Sequence, residues 1–240
     1  MLLTQTRTET LLALRHGEQV LLTLLIPLAL EIGLTLLDIV PTPAGVPRVD
    51  AVTPRMFTLA IMSSAFTGQA IALGFDRRYG VLKRLAATAL PRWLLVAGRV
   101  LSAVAVVVAQ LIVLGVVAAL LGWSPHATGI GWAVLLVVLG TLAFGALGVL
   151  LGGSVRAEIV LALGNLVWFV LLLGGGIVVP VSVMPSGLSD VIMLLPSGAL
   201  AGSLHTALVS GGSPGWIPIV VLLAWTAAAG GLASRTTRLT

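Results

Sequence analysis

Six apolar runs of roughly membrane length alternate with short polar breaks along the chain: Val20–Val40, Pro54–Phe75, Leu94–Leu121, Ile130–Gly152, Ala157–Pro180 and Gly215–Ala233. A helix rises 1.5 Å per residue, so about 20 apolar residues cross the hydrocarbon core of a bilayer. Each run therefore predicts a transmembrane helix. Together they predict an all-α polytopic membrane protein with six spans, forming one transmembrane domain over residues 1–240. The first run is not a signal peptide by pattern: no small-residue cleavage site follows it, and Pro41-Thr42-Pro43 does.

The breaks differ in character. Thr4–Gln19 is too polar to span. Its Leu11, Leu12 and Leu14 beside Glu9, Arg15 and Glu18 fit an amphipathic elbow helix in the membrane interface, or else a frayed polar tail. Pro41–Thr53 carries Pro41, Pro43, Gly45 and Pro47 and predicts an irregular loop. Gly122–Gly129 is short and uncharged.

Val181–Pro214 is too apolar for a solvated loop and has Asp190 as its one formal charge. Leu188, Val191, Ile192 and Leu195 recur at helical spacing, as do Leu200, Leu204 and Leu208, with Pro196 between the two sets. Two short helices that lie in the outer interface or re-enter the membrane, packed against the bundle, are the expectation. Gly174, Gly175 and Gly176 predict a break near the end of the fifth run.

Composition agrees with lipid as the solvent. The chain has 240 residues, of which 58% are hydrophobic and 9% charged, against roughly 25% charged in soluble domains. The net charge of +5 forms no stripe of the kind that binds nucleic acid. Basic residues sit at the ends of the apolar runs instead. With the N-terminus inside, all of the 13 Lys and Arg except Arg48 and Arg55 fall on the inner side, which predicts an N-in, C-in topology.

Several chemistries are excluded. There is no cysteine, and the three histidines, His16, His126 and His205, show no metal-ligand spacing. A P-loop needs G-x-x-x-x-G-K-[ST], yet the chain's single lysine, Lys83, follows Leu82. The chain is therefore not expected to act as an enzyme by itself, with no catalytic residue, no metal ligand and no cofactor of its own.

Polar residues inside the runs are candidates for a translocation path: Glu31 in the first, Ser63, Ser64, Thr67 and Gln69 in the second, Gln110 in the third, Asn165 in the fifth. An intramembrane carboxylate is a functional candidate by default. The other reading of these groups is structural: a hydrogen-bonded carboxyl, and helix-to-helix hydrogen bonds worth about 0.6 kcal/mol each. Gly148 and Gly152 form a G-x-x-x-G pair that would permit close helix approach.

The one dense cluster of charge is Asp76–Arg92, with Arg77, Arg78, Lys83, Arg84 and Arg92. Tyr79, Leu82, Leu85 or Ala86, and Ala89 recur at helical spacing, and Pro91 ends the pattern. A short amphipathic helix along the membrane fits, serving as a basic anchor on anionic lipid or as a protein-docking surface in which Tyr and Arg are enriched.

This segment resembles the cytoplasmic loop between spans two and three of ABC-2 type transporter permeases, the daunorubicin-resistance-like membrane subunits of ABC exporters. The residues that carry the likeness are Asp76-Arg77-Arg78-Tyr79-Gly80, Lys83-Arg84-Leu85 and Thr88-Ala89-Leu90-Pro91-Arg92. A second stretch, Gly174–Pro180, Met184-Pro185 and Leu194-Leu195-Pro196, is similar to the family's run after span five. Ala89 departs from the Pro often found there.

The resemblance implies a non-catalytic, multi-pass permease in a bacterial inner (plasma) membrane. It also implies a second permease subunit, in a homodimer or a related heterodimer, and a separate ABC ATPase that holds ATP and Mg. Asp76, Arg77, Arg78, Tyr79, Gly80, Lys83 and Arg84 would then couple that ATPase to the spans. The cargo would be a hydrophobic or amphipathic drug, lipid or glycan, as in multidrug efflux. The alternatives from other classes are a stand-alone secondary transporter and a non-transporting membrane scaffold.

Overall fold

The computed structural model describes residues 17–37, 39, 42, 45–81, 92–181 and 184–236, with only the backbone path described for 17–22 and 92–99. Among these residues the chain is helical and contains no strand. The helices are α1 (Gly17–Leu36), α2 (Arg48–Ile61), a π-helix (Met62–Gly68), α3 (Gln69–Arg78), α4 (Arg92–Leu120), a 3-10 turn (Ala127–Gly129), α5 (Ile130–Ser154), α6 (Ala157–Gly174), α7 (Ser186–Met193), α8 (Pro196–Ser210) and α9 (Ile217–Thr236).

Five stretches of the described residues are long and apolar enough to cross a membrane: Arg48–Arg78, Val100–Leu120, Ala127–Ser154, Ala157–Gly174 and Ile217–Thr236. They coincide with five of the six predicted runs. The bent pair α7 and α8 brings the number to six if it counts as one broken span. The predicted first span is a helix too, but α1 stops at Leu36, and its described apolar part, Thr23–Leu36, is short.

The hub of the fold is the second span, in which α2, the π-helix and α3 form one continuous rod. Every residue from Val49 to Phe66 is buried. α1, α4, α5, α6 and α8 all pack against this rod, and α5 also packs on α8 and α9. Phe144 and Leu136 of α5, Met56, Leu59 and Ile61 of α2, Leu200 and Leu204 of α8 and Leu222 of α9 fill the core.

The outward faces of the other spans stay apolar: Ile112 and Leu120 of α4, and Leu166, Phe169, Val170 and Leu173 of α6, are more than half exposed. Apolar surface this continuous fits lipid or a further subunit, not water.

The second span begins earlier than predicted. Pro41–Thr53 was expected to be an irregular loop, yet α2 starts at Arg48 and carries Pro54 inside it. Arg48, Asp50 and Arg55 lower the hydropathy of this stretch, but each finds a hydrogen-bond partner within the bundle. Arg48 donates to the carbonyl of Leu37 at 2.8 Å, closing the end of α1. The Asp50 carboxylate accepts from the Ser124 amide at 3.1 Å. Arg55 donates to Ala51 and Val178 carbonyls at 2.8 and 3.1 Å. Proline inside a membrane helix is tolerated where neighbours supply such partners.

The two short helices predicted in Val181–Pro214 are present, and they turn on each other by 101°. α8 is no surface helix: Ser197, Ala199, Leu200, Leu204 and Leu208 are buried on it. Its last turns meet the segment after α4, where the His126 amide donates to Leu208 and the Thr128 hydroxyl to Gly211. The glycine break is also present. α6 ends at Gly174, short of the predicted Pro180, and Gly176 has φ +78°, which glycine adopts without strain.

The glycine pair of α5 lies against the hub. A Cβ on Gly148 would sit 2.7 Å from the Phe66 carbonyl oxygen, and one on Gly152 would overlap the Ala70 carbonyl. The expected close approach of helices is therefore real at this pair, while Gly145 has open space on its Cβ side.

The predicted elbow Thr4–Gln19 lies outside the described residues, apart from Gly17–Gln19, which open α1.

Candidate functional site

The span-two rod ends in Asp76-Arg77-Arg78-Tyr79-Gly80, so the first part of the predicted loop helix is the last turn of the span itself. The Tyr79 amide donates to Phe75 at 2.9 Å and the Gly80 amide to Arg77 at 3.2 Å. Gly80 takes φ +68°, a left-handed end to the helix that a Cβ would strain.

Arg77 reaches across to α5. Its Nη1 donates to the carbonyls of Gly152 at 3.0 Å and Val155 at 3.2 Å. The last carbonyls of a helix lack intrahelical partners, and the helix dipole favours a cation there. Arg78 pairs with Glu158 in the first turn of α6. Successive arginines thus hold the two sides of the α5–α6 turn, and the Ser154 and Thr236 hydroxyls join α5 to α9 at the same end.

Of the predicted coupling residues, Arg77 and Arg78 are engaged inside the chain. Asp76 is half-buried beside them. Tyr79 is 62% exposed, with its ring stacked on Phe75 at 6.0 Å between centroids. Gly80 supplies the turn. Lys83 and Arg84 lie outside the described residues.

The predicted path residues do not converge on one cavity. Met62–Gly68 is a π-helix, a geometry that recurs at functional sites. It turns adjacent serines toward different neighbours. Ser63 accepts from the Trp168 indole of α6 at 2.9 Å. Ser64 donates to Gln110 of α4 at 2.5 Å, and Gln110 donates on to Thr23 of α1 at 3.0 Å. A polar layer thereby links α1, α4, α6 and the hub.

Thr67 keeps a buried hydroxyl without a partner, and Gln69 is half-buried. Asn165 is exposed on the apolar outer face of α6. Glu31 is fully buried beside Thr53, whose hydroxyl is turned to the Val49 carbonyl, and neither carboxyl oxygen of Glu31 accepts a hydrogen bond.

Gln110, named from the sequence as a possible path residue, completes the polar layer together with Trp168, which was not predicted as a site residue. Gln110 stood out in the sequence as a lone amide in an apolar run, but its partners could not be read from spacing. Gln110→Leu tests what the layer does. Losing its two hydrogen bonds is expected to cost about 1 kcal/mol at roughly 0.6 kcal/mol each, lowering Tm by a few degrees with transport kept. Loss of transport in a variant of unchanged Tm would instead make the layer part of the path.

No group of three or more His, Asp or Glu able to hold a metal occurs among the described residues.

Comparison with known proteins is consistent with this architecture. The model of the ABC-2 type transporter family matches residues 2–202. The chain is 38% identical over 89 residues to a Bacillus subtilis (strain 168) protein named "Putative transport permease YvfS". That match takes in 37% of this chain and spans 36% of the relative's length. The membrane-long apolar helices packed around span two and the family match over most of the chain lead to one conclusion: the chain is a multi-pass membrane protein that belongs to the ABC-2 type transporter family.

Proposed function

We propose that the chain is the membrane permease subunit of an ATP-driven exporter for a hydrophobic or amphipathic substrate, powered by a separate ABC ATPase. The observation that carries this reading is the brace at the Arg77 end. Arg77 and Arg78 tie the foot of the buried hub to α5 and α6, while Tyr79 beside them faces outward.

A push on the segment that follows Gly80 would reach three spans at once, as rigid-body rocking requires. The density of basic residues supports a cytoplasmic location for this end, where an ATPase and its ATP and Mg would be. The relative's name, a transport permease, supports a transport role. The apolar outer faces of α4 and α6 leave room for a second permease subunit, identical or related, in a bacterial plasma membrane.

The experiment is affinity purification of the full chain from its native membrane in mild detergent. A protein carrying a P-loop is expected to co-purify in about equal amount, with ATP turnover lost when its P-loop lysine is changed. Substrate transport in vesicles that contain this chain and no ATPase would overturn the reading in favour of a stand-alone carrier.

A further inference from the structure

At the Arg48 end of the bundle lies a cavity of about 260 Å³. It is bounded by the start of α2, the bend after α6, the α7–α8 pair and the start of α9. Its lining is mostly apolar (Pro180, Val181, Met193, Pro218), with Arg55, Ser203, His205 and Thr206 as polar members.

Arg55 is 97% buried, from a relative exposure of 3%. Nε and Nη1 are spent on the Ala51 and Val178 carbonyls, and Nη2 is a buried donor with no acceptor. No carboxylate among the described residues pairs with it. A buried cation is normally paired, because removing it from water is costly.

The hydroxyl protons of Ser203 and Thr206 are spent on helix carbonyls, those of Leu200 and Gly202. The imidazole of His205 has no hydrogen-bond partner among the described residues. The donors left over in the wall among the described residues are therefore Arg55 Nη2 and His205, a set suited to an anion.

We infer that this cavity binds a phosphate-ester oxyanion, held by Arg55 and His205, with the apolar wall receiving the neighbouring part of the same molecule. Guanidinium is the side chain best matched to phosphate oxygens, being planar, weakly hydrated and a multiple donor. Arg55 sits seven residues into α2, about 10 Å below its start at 1.5 Å per residue. That depth is close to the boundary between headgroups and hydrocarbon. The volume is below the roughly 300–1,000 Å³ of pockets that enclose a drug-sized ligand, so a headgroup fits and a whole large cargo does not. The guanidinium is a rigid plane, so bringing Nη2 to the oxyanion would turn the whole group and give up the 3.1 Å contact of Nη1 with Val178. A membrane phospholipid and a soluble phosphate offer the same chemistry. The inference does not depend on an ATPase partner.

The test uses the full chain with whatever subunits accompany it, by native mass spectrometry. The probes are dihexanoyl phosphatidylglycerol, dihexanoyl glycerol without the phosphate, and inorganic phosphate as competitor. The phospholipid is expected to bind at least tenfold more tightly than the glycerol. Arg55→Gln should remove that preference, and His205→Leu, which leaves every hydrogen bond of α8 in place, should weaken it severalfold. Competition by inorganic phosphate would mean that the oxyanion alone suffices, and no competition that the acyl part contributes; both keep the site. Equal binding of the two lipids, or wild-type phospholipid binding by folded Arg55→Gln and His205→Leu, would overturn it.

Discussion

Gly152→Leu is expected to leave little folded protein, whereas Gly145→Leu, nearly two turns away on the same helix, is expected to be tolerated. At Gly152 a side chain meets the Ala70 carbonyl and the Leu73 side chain, and at Gly148 it meets the Ala65 and Phe66 carbonyls. These are backbone atoms of the buried hub, so the helices would have to separate. Overpacking a core costs about 1–3 kcal/mol even where side chains can adjust, and backbone cannot adjust as cheaply. Gly148→Leu should behave like Gly152→Leu. Gly145 has nothing within 4 Å of its Cβ position. Size-exclusion profiles and Tm of the three variants in detergent check the contrast. Equal yields of folded Gly145→Leu and Gly152→Leu would mean that α5 does not seat on span two as described.

Arg77→Ala is expected to lower stability by about 1.5–3 kcal/mol, the range for hydrogen bonds to charged groups, and to slow transport more than it weakens partner binding. Arg78→Ala should cost at most about 1 kcal/mol, because its ion pair with Glu158 is largely exposed. Adjacent arginines of identical type thus differ by what they touch. Arg77 closes the end of α5 through two carbonyls, and Arg78 makes one solvated contact. A thermal shift assay on both variants, with tests for co-purification of the proposed ATPase and for the proposed ATP-dependent transport into inverted vesicles, separates the two roles. Arg77→Ala that retains full stability and full transport would remove the brace from the coupling route.

How much of this was legible beforehand differs by element. The long apolar runs of α4, α5, α6 and α9 were readable because each is long and nearly free of charge, and composition alone carries that signal. The bent α7–α8 pair was readable from Leu at helical spacing around Pro196. The start of α2 was not. Arg48, Asp50 and Arg55 look like loop residues until Leu37, Ser124 and Val178 are placed against them, and none of those partners is near in sequence.

The stretch proposed for coupling stood out by its charge, but Arg77 and Arg78 read equally well as free docking residues. Only the position of the α5–α6 turn turns them inward. The path residues show the same limit. Ser63 and Ser64 differ by one position, yet the π-helix sends them to α6 and α4, and a register change of that kind leaves no mark in an apolar pattern.

The sequence by itself determined that this chain is a multi-pass membrane protein, where its long apolar runs lie, where its positive charge is concentrated, and the family to which it belongs. Those properties follow from local composition and short motifs, each contained in about 20 residues. Tertiary structure decided that span two is the buried hub, that Gly148 and Gly152 but not Gly145 are contact glycines, and that Arg77 is a brace. It also decided that Arg55 stands buried in a cavity wall with no carboxylate paired to it among the described residues. Each of these depends on atoms brought together from distant parts of the chain, and the physical terms involved, steric overlap and the satisfaction of buried donors, act only over contact distance.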